Sequence, residues 1–198
     1  MLIGIDVDLT LVDSGSAWWD WLEALYGPAE NVSPPNNGLM HYDLSKYWPN
    51  RPTENIITPF AFWDSPHLYD FLKPEDGAID VLKDLVSRGH KLAFISMCKK
   101  GHLASKVRFL KRWTSDFMDL DDYSQGHGFY ATHFKGNIAV DVIIDDRYEY
   151  LNQFSNKPDV IKILKETPYS QSEDLGVSVD YASGSWYNIG KFLEGIDG

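Results

Sequence analysis

Short apolar runs alternate along the chain with segments in which apolar residues recur at helical spacing. Residues 2–7, LIGIDV, form a run rich in β-branched side chains that gives way to acidic and hydroxyl residues. A buried parallel strand has this character where it meets its loop. The runs KLAFIS at 91–96 and AVDVII at 139–144 are similar and predict two more strands. The last run leads straight into Asp145 and Asp146.

Helices are predicted between these strands. Apolar residues recur at helical spacing from about 79 to 86, in a segment that stops at Gly89. The same spacing recurs at Leu103, Val107 and Leu110, where lysines and arginines take the other positions. We therefore expect one helix before and one helix after the strand at 91–96.

The last quarter of the chain continues the alternation. Residues 159–164, DVIKIL, fit either a strand or a helix, whereas VSVDYA at 177–182 predicts a short strand and 186–193 a closing helix. Strands that alternate with helices favour a mainly parallel sheet with helices on both faces. The expected fold class is α/β with a Rossmann-like core.

The stretch from about 14 to 75 does not follow this alternation. It opens with WWDWLEALYG, which looks helical, and continues with loop-rich sequence such as NVSPPNNG and YWPNRPTEN. We expect a small, mostly helical cap subdomain at 14–75, inserted after strand one. The core would then consist of residues 1–13 and 76–198.

The composition mainly excludes classes of protein. Hydrophobic residues make up 43% of the 198 residues and charged residues 24%, which is usual for a globular domain. No apolar run approaches the roughly 20 residues that span a bilayer, and the first residues lack the basic flank of a signal peptide. The single cysteine, Cys98, has no partner for a disulfide or a thiolate metal site. We expect a cytoplasmic protein without a membrane partner.

A formal net charge of −11 would repel a nucleic-acid backbone, so polymeric DNA or RNA is not an expected partner. A small anion could still bind where a metal ion or nearby Lys and Arg side chains reverse the local field. Aromatic residues make up 14% of the chain, and many of its seven tryptophans lie in the first third.

Acidic and hydroxyl side chains follow the predicted strands. Asp6 and Asp8 end the first, Ser96 the second, and Asp145 and Asp146 the third. Because ligands of such sheets bind beyond the carboxyl ends of the strands, these side chains are expected at one rim. Four clustered carboxylates require a cation, and hard oxygen ligands favour Mg²⁺.

The other side of an anionic substrate could be neutralised by Lys135 and by the basic pair Lys99 and Lys100. A phosphate group fits this combination of metal ion and lysines.

These motifs resemble those of the haloacid dehalogenase (HAD) superfamily of phosphatases. The segment IGIDVDLTLV is similar to its first motif, and FIS with Ser96 to the second. Lys135 resembles the third motif and DVIIDD the fourth. All four follow in order on predicted strand ends, so the resemblance covers the whole Rossmann-like core.

A narrower resemblance links the chain to the 5′(3′)-deoxyribonucleotidase family. It rests on FLKPEDGAIDVLKDL, KGNIAVDVIIDDR and SWYNIGKFL. That family usually has Gly-Val where this chain has Leu9 and Thr10, and its Thr-Ser-Pro is replaced by Ser96, Met97 and Cys98.

The resemblance implies a role for each motif residue. Asp6 would be the nucleophile that forms an aspartyl-phosphate, and Asp8 the general acid and base. Magnesium would be held by Asp6, the Asp8 backbone carbonyl and one or both of Asp145 and Asp146. The expected phosphate-binding residues are Thr10, Ser96 and Lys135.

The cap and its surroundings supply substrate candidates: Trp18, Phe62, Trp63, Lys99 and Arg147. Aromatic rings could stack on a nucleobase, although most cap tryptophans are expected to be structural. Ser96 also has a simpler interpretation as a helix N-cap.

The sequence thus predicts a magnesium-dependent phosphomonoesterase that acts on a nucleoside monophosphate. The expected preferred substrate is a deoxyribonucleotide. A sugar phosphate or another small phosphomonoester is the first alternative, and a non-catalytic phosphate-binding module is the second. A homodimer is left open.

Overall fold

The computed structural model describes residues 1–30, 40–52, 57–99, 101–170 and 178–196. Its strands are β1 (Leu2–Ile5), β2 (Met40–His41), β3 (Lys91–Ser96), β4 (Gly128–Ala131), β5 (Val142–Asp145), β6 (Ile161–Lys165), β7 (Tyr169–Ser170) and β8 (Tyr181–Ser183). Its α-helices are α1 (Ser14–Tyr26), α2 (Leu68–Phe71), α3 (Ala78–Ser87), α4 (His102–Thr114), α5 (Tyr148–Leu151) and α6 (Trp186–Ile196). Short 3-10 turns cover Leu44–Tyr47, Ala61–Asp64, Tyr123–Gln125, Lys135–Asn137 and Asn152–Phe154.

Six strands form one sheet in the order β4-β3-β1-β5-β6-β8, and every neighbouring pair is parallel. This confirms the α/β fold class. The central strand β1 lies between β3 and β5, so the carboxyl ends of these three strands are adjacent. The residues that follow them meet at one rim of the sheet.

Most of the predicted strands are present. The segment at 159–164, which fitted either a strand or a helix, forms the strand Ile161–Lys165. β4 was not predicted, because Gly128–Ala131 lies at the sheet edge, is only partly buried and shows no continuous apolar run. The predicted strand at 177–182 is shorter, Tyr181–Ser183, and residue 177 lies outside the described residues.

The buried face of α4 differs from the predicted one. Leu103 was expected to face the core, but 49% of it is exposed. The buried positions at helical spacing are His102, Ser105, Lys106, Phe109, Leu110 and Thr114. The helix is therefore rotated so that polar side chains face the core, and the reason is the ionic contact that Lys106 makes in the site described below.

The described parts of the inserted stretch are mainly helical, with α1, two 3-10 turns, α2 and the strand β2. Trp18, Leu22 and Trp48 from this stretch belong to the same hydrophobic cluster as Ile3 and Ile5 of β1. The predicted boundaries at 13/14 and 75/76 stay a prediction, and residues 31–39 and 53–56 of the stretch lie outside the described residues.

Two further contacts join the insertion to the rest of the molecule. β2 pairs in parallel with β7, and the amide of Met40 donates to the carbonyl of Pro168 at 2.8 Å. At the start of α1, a Cβ on Gly15 would overlap the Tyr169 ring. Glycine is therefore needed there for the close approach of α1 to β7.

Trp186 at the start of α6 connects the end of the chain to the loop after β1. Its ring is 1% exposed, and its Nε1 donates to the carbonyl oxygen of buried Thr10 at 2.8 Å. This bond satisfies a carbonyl that has no access to water. Within the described ranges, the structure has no helix with the length and hydropathy of a membrane span.

We predict that Trp186→Phe lowers the free energy of unfolding by about 1–3 kcal/mol, because the Thr10 carbonyl loses its donor and the smaller ring leaves a cavity. Urea denaturation followed by circular dichroism measures this change. Trp113→Phe, at a tryptophan that is 36% exposed, is the matched control and should stay within about 0.5 kcal/mol of the wild type. Equal losses in the two variants would contradict the prediction.

Candidate active site

The centre of the site is a buried lysine between two aspartates. Asp6 directly follows β1, and Asp145 is the last residue of β5. Lys135 Nζ donates to Asp6 Oδ1 and to Asp145 Oδ2, each at 2.6 Å. The lysine is 1% exposed, and its Nζ lies 4.2 Å from the centre of the Tyr150 ring. Two of its three N–H groups are thus engaged.

A third carboxylate completes the cluster. One ligand oxygen each from Asp6, Asp145 and Asp146 lie within 4.8 Å of one another, and all three residues are buried. Asp146 Oδ1 accepts from the Thr10 hydroxyl at 3.4 Å, whereas its Oδ2 has no hydrogen-bond partner among the described residues. A buried carboxylate oxygen without a donor is costly, so this set of oxygen ligands fits a magnesium ion.

The cluster carries more negative charge than its lysine can balance. Burial raises the pKa of Asp6 to about 7 despite the attraction of Lys135, and nearby Asp145 and Asp8 add to the rise. Burial, followed by the charges of Asp145 and Asp6, raises the pKa of Asp146 well above its usual range. Burial would lower the pKa of Lys135, but the two carboxylates outweigh it and the pKa is raised. The site therefore favours binding of a cation.

Asp8 lies beside this cluster and has a donor at each carboxylate oxygen. The Tyr69 hydroxyl donates to Oδ1 at 2.6 Å, and Lys106 Nζ donates to Oδ2 at 2.6 Å. Burial and then the Asp8 charge raise the pKa of Tyr69, so its hydroxyl stays protonated. The next residue, Leu9, has a φ of 59°, a strained value for a side chain other than glycine. A strained turn thus directs the chain away from β1 at the site.

Ser96, the last residue of β3, also contacts Lys106. Its Oγ accepts from Lys106 Nζ at 2.8 Å. The alternative interpretation of Ser96 as a helix cap is wrong, because α4 begins at His102 after Gly101 and has no side-chain cap. The serine hydroxyl therefore lies at the rim next to Asp8.

A cavity of about 260 Å³ opens next to Asp8. The predicted residues Trp18, Trp63, Lys99 and Arg147 line it. Further lining residues are Leu9, Gly15, Tyr42, Asp43, Leu44, Phe60, Tyr69, Met97, His102, Lys106 and Tyr169. Most of these side chains are apolar or aromatic, which is usual for a small-molecule site.

The individual candidates have different surroundings. Phe62 is not among the lining residues and packs against Trp21 and Trp63. Arg147 lies over the rings of Tyr42 and Tyr150, with its Cζ 5.2 and 5.4 Å from their centres.

Among the basic candidates, Lys99 Nζ pairs with Asp64 at 3.3 Å, and both side chains are largely exposed. Lys100 lies outside the described residues.

The side chains of the site that the sequence pattern did not indicate include Lys106, Tyr69, Tyr42 and Tyr150. Lys106 is three residues before Phe109, so the helical period that includes Phe109 would have placed it on the buried face of α4. Tyr69 and Tyr42 are far from the motifs in sequence, and only the folded chain brings them to the site.

Solved structures of the same fold are HAD-type hydrolases. A haloacid dehalogenase-like hydrolase from Burkholderia xenovorans has 14% identity and a TM-score of 0.53, over 98% of this chain and 94% of its own. CbbY from Rhodobacter sphaeroides, solved with phosphate, has 13% identity and a TM-score of 0.54, over 96% of both chains. A dehalogenase solved as an intermediate complex has 12% identity and a TM-score of 0.58, again over 96% of both chains.

No protein-family model matches the chain, and the comparison with curated proteins found no match. Structural similarity at this level of identity shows a shared fold.

We predict that the metal-free protein loses stability as the pH rises from about 4 to about 7. The pKa of Asp6 is 3.8 in the unfolded chain and about 7 in the folded one, so in this window the folded state holds a proton that the unfolded state has lost. Asp6→Asn removes the part of this dependence that comes from Asp6, whereas the raised pKa values of Asp145 and Asp146 keep the rest. The variant should gain about 1–3 kcal/mol relative to wild type between pH 5 and pH 8 in EDTA.

Urea denaturation at both pH values in EDTA measures the change. The exposed Asp116 gives a matched control, because Asp116→Asn removes a carboxylate outside the cluster. A constant difference between wild type and Asp6→Asn at both pH values would contradict the prediction.

Proposed function

We propose that the protein is a magnesium-dependent phosphomonoesterase that acts on nucleoside monophosphates through an aspartyl-phosphate at Asp6. The observation that carries the proposal is the buried set of Asp6, Asp145, Asp146 and Lys135 beside a second aspartate, Asp8. A purely structural ion pair would not bury a third carboxylate beside the two that Lys135 contacts, because buried unbalanced charge is destabilising.

In the proposed reaction, Asp6 attacks phosphorus. It directly follows the central strand, and Lys135 holds its Oδ1 through a 2.6 Å hydrogen bond, which leaves Oδ2 for the new bond. Attack forms the O–P bond of an aspartyl-phosphate and breaks the bond to the leaving oxygen. One difficult displacement is thereby divided into two easier ones.

Asp8 acts as the general acid and base of the proposed reaction. In the first step it protonates the leaving alkoxide, and in the second it removes a proton from the water that hydrolyses the aspartyl-phosphate. Its position beside the cavity, 26% exposed, gives it access to both the alcohol and water.

Lys135 and Ser96 supply the contacts to the phosphoryl oxygens. The ammonium group of Lys135 has three N–H donors. Among the described residues, two of them donate to Asp6 and Asp145, which leaves the third for a phosphoryl oxygen. Ser96 accepts from Lys106, so its own hydrogen is available apart from a 3.3 Å contact with the Met97 carbonyl. Such fixed donors stabilise charge that develops on the transferring group. The role predicted for Thr10 stays a prediction.

Asp6, Asp145 and Asp146 would hold magnesium, with the Asp8 carbonyl as a further ligand. When bound, the ion supplies positive charge that offsets the phosphate and the crowded carboxylates. The residues fit the ion because Asp146 Oδ2 lacks a donor and the three carboxylates exceed the charge of Lys135.

The aromatic cavity supports a nucleoside as the remainder of the substrate. Trp18, Phe60 and Trp63 line it, and the centre of the Trp18 ring lies 5.5 Å from that of each of the other two. Aromatic faces stack on bases. A sugar phosphate stays the alternative substrate. It would gain less from these rings, because a sugar has no aromatic plane to stack.

Dehalogenation and non-catalytic phosphate binding do not account for Asp8. A halide leaves without a proton, so a dehalogenase would not require Asp8 with its two donors. A non-catalytic phosphate-binding module would not require Asp8 either. The cytoplasmic location, the lack of a polymeric nucleic-acid or membrane partner, and a homodimer stay predictions from the sequence.

We predict that phosphate release from dUMP requires magnesium and Asp6. Activity should disappear in EDTA and return with Mg²⁺, since nothing else offsets the carboxylates. Asp6→Asn should lower kcat by a factor of about 10⁴ or more, because an amide is not a nucleophile. Asp116→Asn should retain wild-type activity, and full turnover after exhaustive chelation would refute the metal requirement.

We predict a preference for deoxyribonucleotides. Most side chains that line the cavity are apolar or aromatic, and a ribose 2′-hydroxyl that faces them loses its hydrogen bonds to water, which costs about 1–3 kcal/mol. The kcat/KM for dUMP and dGMP should exceed that for UMP and GMP about tenfold or more. Equal efficiencies for each deoxy and ribo pair would show that the sugar is not selected. Hydrolysis of sugar phosphates alone would favour the alternative substrate class.

A further inference from the structure

Lys106 is fully buried on the inner face of α4 and uses all its donors within the protein. Its Nζ lies 2.6 Å from Asp8 Oδ2, 2.8 Å from Ser96 Oγ and 2.7 Å from the carbonyl oxygen of Met97. An ammonium group has three N–H donors, so none is left for a substrate. In this respect Lys106 differs from Lys135, which has one donor to spare.

The second oxygen of Asp8 is held from another direction. Tyr69 is fully buried, and its hydroxyl donates to Asp8 Oδ1 at 2.6 Å. Lys106 Nζ also lies 4.9 Å from the centre of the Tyr69 ring. The carboxylate of Asp8 is thereby fixed in position and orientation by two side chains from separate parts of the chain.

We propose that Lys106 is the positioning residue of the general acid and base: it holds Asp8 Oδ2 so that Oδ1 faces the leaving oxygen. This proposal rests on the function proposed above. It explains why α4 turns a lysine rather than Leu103 towards the core. Burial of an ammonium is unfavourable unless its donors are satisfied, and here three acceptors satisfy them.

The geometry assigns different roles to the two oxygens of Asp8. Lys106 can only donate, so Oδ2 keeps this bond in both half-reactions. The Tyr69 hydroxyl occupies one lone pair of Oδ1, so the second lone pair of this oxygen is the position that carries the proton. In the first step, the bond from Asp6 to phosphorus forms, the bond to the leaving oxygen breaks and the Oδ1 proton moves to that oxygen. In the second step, the water oxygen bonds to phosphorus, the bond from Asp6 to phosphorus breaks and Oδ1 takes a proton from that water, which releases phosphate and restores both aspartates.

The same lysine orients Ser96. Because Ser96 Oγ accepts from Lys106, the hydroxyl hydrogen points away from the lysine. The Ser96 hydroxyl also lies 3.3 Å from the Met97 carbonyl oxygen, but that oxygen already accepts a shorter bond from Lys106 at 2.7 Å. The serine hydroxyl can still donate to a phosphoryl oxygen without its bond from Lys106, so the loss of that bond should affect all phosphomonoesters alike and only slightly.

The test compares two phosphomonoesters of similar shape, 4-nitrophenyl phosphate and benzyl phosphate. Nitrophenolate leaves without a proton, whereas benzyl alkoxide requires one. Lys106→Met should lower kcat/KM for benzyl phosphate about 100-fold and that for 4-nitrophenyl phosphate less than about fivefold. The ratio kcat/KM reports the steps up to the aspartyl-phosphate, whereas kcat also includes its hydrolysis, which is common to both substrates.

Three further variants complete the experiment. Asp8→Asn should show the same selective loss on benzyl phosphate, and Lys106→Arg, which keeps a cationic donor, should recover part of it. Lys111→Met is the matched control, since Lys111 lies on the same helix, is 41% exposed and pairs with Asp121 outside the site. It should match the wild type on both substrates.

Equal losses on the two substrates in Lys106→Met would overturn the proposal, because a general structural defect or a lost phosphate contact affects both alike. Unchanged activity would overturn it too. If Lys106→Met fails to fold by circular dichroism, Tyr69→Phe tests the same arrangement, since it removes only the hydroxyl at Oδ1. Equal losses on both substrates in that variant would again refute the proposal.

The result separates the two proposals. A wild-type protein that hydrolyses neither ester would contradict the proposed function. An active wild type that loses both activities in Asp6→Asn but shows no leaving-group selectivity in Lys106→Met would contradict the positioning role alone.

Discussion

The site depends on two hydrogen bonds that Lys135 Nζ donates, one to Asp6 and one to Asp145. They join the ends of two neighbouring strands through one buried cation, and they require the sheet to place β1 beside β5. A third buried carboxylate, Asp146, leaves this arrangement short of positive charge. The protein tolerates that imbalance because the rest of the sheet is a large, closely packed core. The proposed magnesium and phosphate chemistry follows from the same imbalance.

Much of the fold could be predicted because the strands of a parallel sheet are continuous apolar runs. The runs at 2–7, 91–96 and 139–144 correspond to β1, β3 and β5, the three strands that deliver the site. The acidic residues were found because they directly follow these runs. Edge strand β4 lacks that signal, since its residues are partly exposed.

The parts that could not be predicted depend on contacts between distant residues. The sequence pattern indicates a surface position for Lys106, because its helix has many basic residues. Lys106 is buried because Asp8 and Ser96, which are distant in sequence, accept its hydrogen bonds. Tyr69 is 61 residues from the aspartate that it contacts. The aromatic residues of the insertion were identified as a group, but periodicity could not separate Trp18, which lines the cavity, from Phe62, which does not.

The described parts of the insertion share their hydrophobic core with the sheet, and β2 pairs with β7, a strand outside the six-stranded sheet that follows β6 in the chain. The insertion cannot move away from the sheet as a rigid body, because this movement would break backbone hydrogen bonds and expose part of the common core to water. Entry to the cavity must therefore rely on local rearrangement of the side chains at its mouth. The insertion and the sheet would then unfold together as a single cooperative unit.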